Sequence, residues 1–143
     1  MRIVNKAGID LIKSFEKWKE KAYLDAVGIL TIGWGHVVLK EESFTVITIE
    51  EGEELLAKDL SKAIKPVLRN ISVPLTDNQF AALVSFTFNL GGASLQRSTL
   101  RRKINRGELE DIKEEFLKWN KAGGKKLAGL AKRRLREAEL FAS

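Results

Sequence analysis

Cysteine is absent from this 143-residue chain, and histidine and tyrosine occur once each. Without thiols there is neither a disulfide framework nor a thiolate metal site. A single histidine, His36, rules out a multi-histidine metal centre. No apolar run approaches the roughly 20 residues needed to span a bilayer, and Met1 to Lys6 does not read as a secretory signal. The expectation is one compact domain over residues 1–143, without metal, cofactor, export route of its own or stable membrane anchoring. With 44% hydrophobic and 31% charged residues, the balance is that of an ordinary globular domain.

Charge is unevenly placed. The net charge is +6, but residues 1–93 carry net −1 and residues 94–143 net +7. A basic half can be a solvated face or a surface for a polyanion. One reading is therefore a basic helical module that binds nucleic acid or anionic membrane without catalysis; no recognised nucleic-acid motif supports it.

The order of elements is legible from spacing. Asn5 can cap a helix whose apolar positions Ile9, Ile12 and Phe15 recur at helical intervals up to about Trp18. Residues 22–39 are β-branched and aromatic, punctuated by Gly28, Gly33 and Gly35, and predict two or three short antiparallel strands. Thr48 to Glu51 is a capping box opening a helix to about Arg69, with Leu55, Leu56, Leu60, Ile64, Val67 and Leu68 as its stripe. Pro66 should kink that helix or end it early. Thr76 to Gln79 is a second capping box, before a helix that is apolar nearly all round and so central. Further helices are expected over about 95–106, 109–120 and 130–141. The fold class is α+β: a helix, a small sheet, then a helical body.

At the helix-to-sheet transition stand Glu16, Asp25 and Thr31. Glu16 closes an apolar helical face, where a carboxyl group can be partly desolvated and kept protonated. A hairpin turning at Val27 and Gly28 brings Asp25 and Thr31 together. One protonated acid and one ionised carboxylate in a cleft are what glycoside hydrolysis requires. The spacing alone also fits a solvated helix end, a turn former and a strand residue.

The wider string resembles the phage lysozyme family, glycoside hydrolase family 24. The resemblance runs from Phe15-Glu16 through Ala22 to Asp25 and Leu30 to His36, then Leu75 to Leu83, Phe86 to Gly91, Ser98 to Leu100, Phe116 to Gly124 and Arg133-Arg134. It implies a lysozyme-like fold, with a small lobe holding a short antiparallel sheet, a long connecting helix, a mostly helical lobe and a cleft between them. Glu16 is then the general acid, Asp25 the carboxylate that activates water and stabilises positive charge, and Thr31 a holder of that water. Val37, Phe88, Asn89 and Thr99 match substrate-binding positions, and His36 with Asp59 matches a structural ion pair. One of Arg133 and Arg134 is placed to reach toward Glu16, although a solvated basic helix accounts for both equally well.

The implied substrate is the β-1,4 bond between N-acetylmuramic acid and N-acetylglucosamine in bacterial peptidoglycan. The enzyme is expected to be a monomer with no nucleic-acid partner, accumulating in the host cytoplasm until a separate membrane lesion releases it. Two departures flank the site: Lys17 and Ala26 stand where many relatives carry Gly and Pro.

Overall fold

The computed structural model describes residues 2–143. The first helix, α1 (Lys6–Glu16), is capped by the Asn5 side chain, whose oxygen accepts the Gly8 N–H at 3.0 Å. It ends at Glu16, two residues before Trp18, because Lys17 has a φ of +59° and a ψ of 160° that cannot continue a helix. The chain then builds a three-stranded antiparallel sheet from β1 (Lys19–Leu24), β2 (Leu30–Gly33) and β3 (His36–Val37). In register Tyr23 faces Thr31 and Leu24 faces Leu30, while Thr31 faces Val37 on the other side.

The long helix α2 (Ile49–Asn70) opens at the Thr48–Glu51 capping box, with both reciprocal hydrogen bonds formed. It does not end at Pro66. Pro66 is buried four residues before the helix ends, and its carbonyl accepts the Asn70 side-chain N–H at 2.8 Å. The ring leaves the Lys62 carbonyl without its ladder N–H, and it packs directly against Gly92. Leu68, read as part of the apolar stripe, is exposed.

The central helix α3 (Asp77–Leu90) starts at the second capping box, and every side chain from Phe80 to Thr87 is buried. Helices α1, α2 and the last helix α7 (Ala128–Ala142) pack around it. The stretch expected as one helix from Leu95 is two: α4 (Gly92–Arg97) and α5 (Thr99–Asn105), broken at Ser98. The Ser98 hydroxyl donates to the Leu95 carbonyl and accepts the Arg101 N–H, closing one helix and capping the next. The helix expected from Leu109 is the shorter α6 (Ile112–Leu117). It is followed by a small hairpin of β4 (Lys121–Ala122) and β5 (Lys125–Lys126).

Two apolar clusters hold the lobes. The larger is built on Phe80, Phe86, Leu95, Leu100 and Phe116, and the smaller, beneath the sheet, on Ile32, Ile47 and Leu55. Trp18 packs against both and meets Trp34 at 4.5 Å between ring centroids. The end of α1 is thereby pinned at the seam between the lobes.

Candidate active site

Glu16 and the sheet meet at that seam. The Glu16 carboxyl is shielded from solvent, but by a guanidinium as well as by apolar surface: Arg133 Nη1 donates to Oε2 at 2.6 Å. Gly35, in the turn between β2 and β3, lies directly against the same carboxyl group. A Cβ there would overlap Oε1, and its φ of +73° favours glycine in any case. Glu16 is thus held from α7 on one side and from the small lobe on the other.

Arg133 is itself braced. Its Nε donates to Glu137 Oε2 at 3.3 Å and its Nη2 to the Ser85 carbonyl at 3.3 Å. Glu137, fully buried, also accepts from Ser85 Oγ at 2.6 Å and from Arg134 Nε at 2.7 Å. Burial pushes the Arg134 guanidinium below its ordinary value, and the Glu137 carboxylate works against that fall. The last helix is therefore not simply a solvated basic face. Two of its arginines are spent inside the large lobe, and the buried Glu137 and Ser85 that support them were missed in the sequence. An R-R-x-x-E spacing at i, i+3 and i+4 was the available signal.

Asp25 sits at the hairpin turn. Its Oδ1 accepts the N–H groups of Val27 at 3.0 Å and Ile29 at 2.8 Å, and Oδ2 takes no hydrogen bond among the described residues. The buried Thr31 donates its hydroxyl proton to the Ile29 carbonyl at 2.9 Å. The Ile29 peptide therefore links the two side chains, its N–H to Asp25 and its C=O to Thr31. With its proton committed, the Thr31 oxygen is left as an acceptor. Tyr23 reports the local charge: partial burial pushes its phenol up, and the carboxylates of Glu16 and Asp25 push it further. Both carboxylates thus act on the one phenol beside Thr31.

A cavity of about 370 Å³ lies next to the seam; Glu16, Asp25 and Thr31 do not line it, but Gly35, which touches Glu16, does. Its walls include Val37 on the small lobe, Asp59 and Lys62 on α2, and Thr87 and Phe88 on α3. Of the four residues expected to bind substrate, Val37 and Phe88 face this cavity. Asn89 and Thr99 do not line it. The Asn89 amide oxygen accepts from Arg134 at 2.9 Å, and the Thr99 hydroxyl accepts from Arg102 at 3.1 Å.

His36 is buried between two carboxylates. Its Nδ1 lies 2.9 Å from Asp59 Oδ2, as the resemblance implies, and its Nε2 lies 2.9 Å from Glu42 Oε1. Glu42 comes from the loop after β3, a partner that no local spacing announces. The Leu39 N–H donated to its carboxylate, with His36 adding to it, holds Glu42 below the usual carboxylate range. Both ring nitrogens are occupied, so His36 ties β3 to α2 and has no nitrogen left for proton transfer. No group of three or more metal-ligating side chains gathers among the described residues, and none of the described helices is long and apolar enough to cross a membrane.

The geometry has counterparts in known proteins. The chain is 43% identical over 140 residues to an endolysin of Bacillus phage B103, covering 96% of this chain and 53% of that one. It thus spans about half the length of the first curated relatives it matches. An endolysin of Salmonella phage P22 is 37% identical over 147 residues, covering both chains completely. Among solved structures, the muramidase domain of SpmX from Asticaccaulis excentricus superposes with a TM-score of 0.88 at 33% identity, over 100% of this chain and 99% of that one. The family model for phage lysozyme matches residues 13–137, a span that holds Glu16, Asp25, Thr31 and the Arg133–Glu137 brace, and the chain belongs to the phage lysozyme family.

Proposed function

We propose that the chain is a lysozyme that hydrolyses the β-1,4 bond between N-acetylmuramic acid and N-acetylglucosamine in bacterial peptidoglycan. The observation that carries this reading is the division of labour across the seam. A shielded, doubly held carboxyl stands on α1, and a carboxylate and a hydroxyl acceptor joined through one peptide stand on the facing sheet. Glu16 donates its proton to the leaving glycosidic oxygen. Asp25 Oδ2 and Thr31 Oγ1 accept the hydrogens of a water molecule, turning its lone pair toward the sugar carbon. Val37 and Phe88 line the path of the strand, and His36 with Asp59 keeps the small lobe in place. In this reading peptidoglycan is the working partner, the protein acts as a monomer, and a separate membrane lesion releases it to the wall.

The alternative of a basic helical module without catalysis has less behind it, because Arg133 and Arg134 are buried in internal pairs. Purified peptidoglycan digested by the protein and then reduced with borohydride tests the bond chosen. A muramidase leaves N-acetylmuramic acid at every new reducing end. New ends at N-acetylglucosamine, or no new ends, would overturn the assignment.

A further inference from the structure

The segment from Trp119 to Lys132 carries four lysines and no carboxylate. Within it the β4–β5 hairpin turns through Gly123 and Gly124, whose φ values of +58° and +78° suit a tight two-residue turn. Lys121 lies directly opposite Lys126, and Ala122 opposite Lys125. Like charges facing each other weaken a strand pair, and a ribbon of two residues per strand has little to offset that. Every residue from Lys121 to Gly129 is exposed. Of the other cations in this half, Lys103 and Lys118 are neutralised by Glu115 and Arg106 by Glu108, whereas Arg97 and Lys132 make no ion pair among the described residues. Among the described residues Lys121, Lys125 and Lys126 make no such pair.

The hairpin is also tied to the catalytic seam. The Leu127 N–H closes its base on the Asn120 carbonyl at 2.9 Å. Arg134 Nη1 donates to the Trp119 carbonyl at 3.4 Å, and the Arg97 guanidinium lies over the Trp119 ring. The next residue back along α7 is Arg133, which holds Glu16. The hairpin's lysines are thus carried on the same helix end that holds Glu16.

We propose that the β4–β5 hairpin is an electrostatic grip for anionic groups displayed along the glycan, phosphodiester or carboxylate in chemistry. The proposal rests on reading the cleft as a glycan hydrolase site. A lipid surface is disfavoured because the exposed stretch 121–129 offers a single large apolar side chain, Leu127, and interfacial binding needs more buried apolar area than that. Stacking on nucleobases is disfavoured because the same residues include no aromatic ring.

The test is the triple variant Lys121→Gln, Lys125→Gln, Lys126→Gln, in sedimentation with purified walls at low salt. Each cation near an anionic surface contributes about fivefold to binding, so three removed should weaken it on the order of a hundredfold. The gap should close as salt shortens the Debye length to about 3 Å at 1 M. Walls stripped of phosphodiester polymer and walls with amidated carboxylates identify which anion is held, as the parent loses affinity for one of them. The variant should melt no lower than the parent, since a repulsive pair has gone, and should cleave short, peptide-free glycan fragments at the parental rate. Unchanged wall binding, equal loss on soluble fragments, or parental affinity for vesicles of anionic lipid matching that for walls would each overturn the proposal. If the parent cleaved no fragments at all, the hydrolase reading would fail, while the binding comparison would still judge the hairpin.

Discussion

Lys17 follows Glu16 and is the only non-glycine among the described residues with positive φ. At φ +59° and ψ 160° it occupies a region that only glycine enters freely, at a cost of about 1–3 kcal/mol for other residues. Lys17→Gly removes that strain but gives back about 0.5–1 kcal/mol through the greater freedom of glycine in the unfolded chain. The net expectation is a gain of about 1 kcal/mol, which for a domain of this size raises Tm by about 3–4 °C. Lys17→Ala separates this from loss of the side chain, because alanine keeps a Cβ and meets the same strain. Its Tm should stay close to the parent's. The assay is reversible thermal or urea unfolding of all three proteins. A glycine variant no more stable than the parent, or an alanine variant equally stabilised, would refute the backbone argument.

Other consequences follow from the brace and the turn. Glu137→Gln leaves two buried guanidinium groups short of their counter-charge, so it should cost about 3–5 kcal/mol in denaturant unfolding; it should also lower lytic rate through the freed Arg133, which a merely structural loss would not do below the melting range. Gly35→Ala places a methyl group against the Glu16 carboxyl at a φ unfavourable to alanine; turnover on walls should fall much more than secondary structure by circular dichroism. Glu42 is held below the ordinary carboxylate range, so its contribution is present above its unfolded pKa and lost as pH falls through the folded one. Glu42→Gln should therefore destabilise at neutral pH, and the difference in Tm should close under acid; a difference that persists unchanged at low pH would contradict this.

What the sequence made legible were features whose cause is local. Both capping boxes form as their spacing predicts, and the hairpin that joins Asp25 to Thr31 follows from its turn residues. The central helix was readable because no face of Phe80 to Thr87 is polar enough for solvent. The misreadings have long-range or compensating causes. Ser98 breaks one apparent helix into two because its hydroxyl satisfies both ends, an arrangement a basic amphipathic pattern conceals. Pro66 stays inside α2, buried and packed against Gly92, a contact from a distant part of the chain. Arg133 and Arg134 read equally well as solvated until Glu137 and Ser85 are seen beside them, and Glu42 reaches His36 through a loop of irregular backbone.

The account depends most on Glu16 as the proton donor. Glu16→Gln preserves size and can still meet Arg133 through its amide oxygen, but it has no acidic proton to give. General acid catalysis contributes roughly 10²–10⁴-fold. The direct measurement is the rate of turbidity loss in purified peptidoglycan for parent and variant, alongside their melting curves. The account predicts a rate lower by at least about a hundredfold in a protein that still folds; a folded Glu16→Gln variant with most of its lytic rate would contradict it.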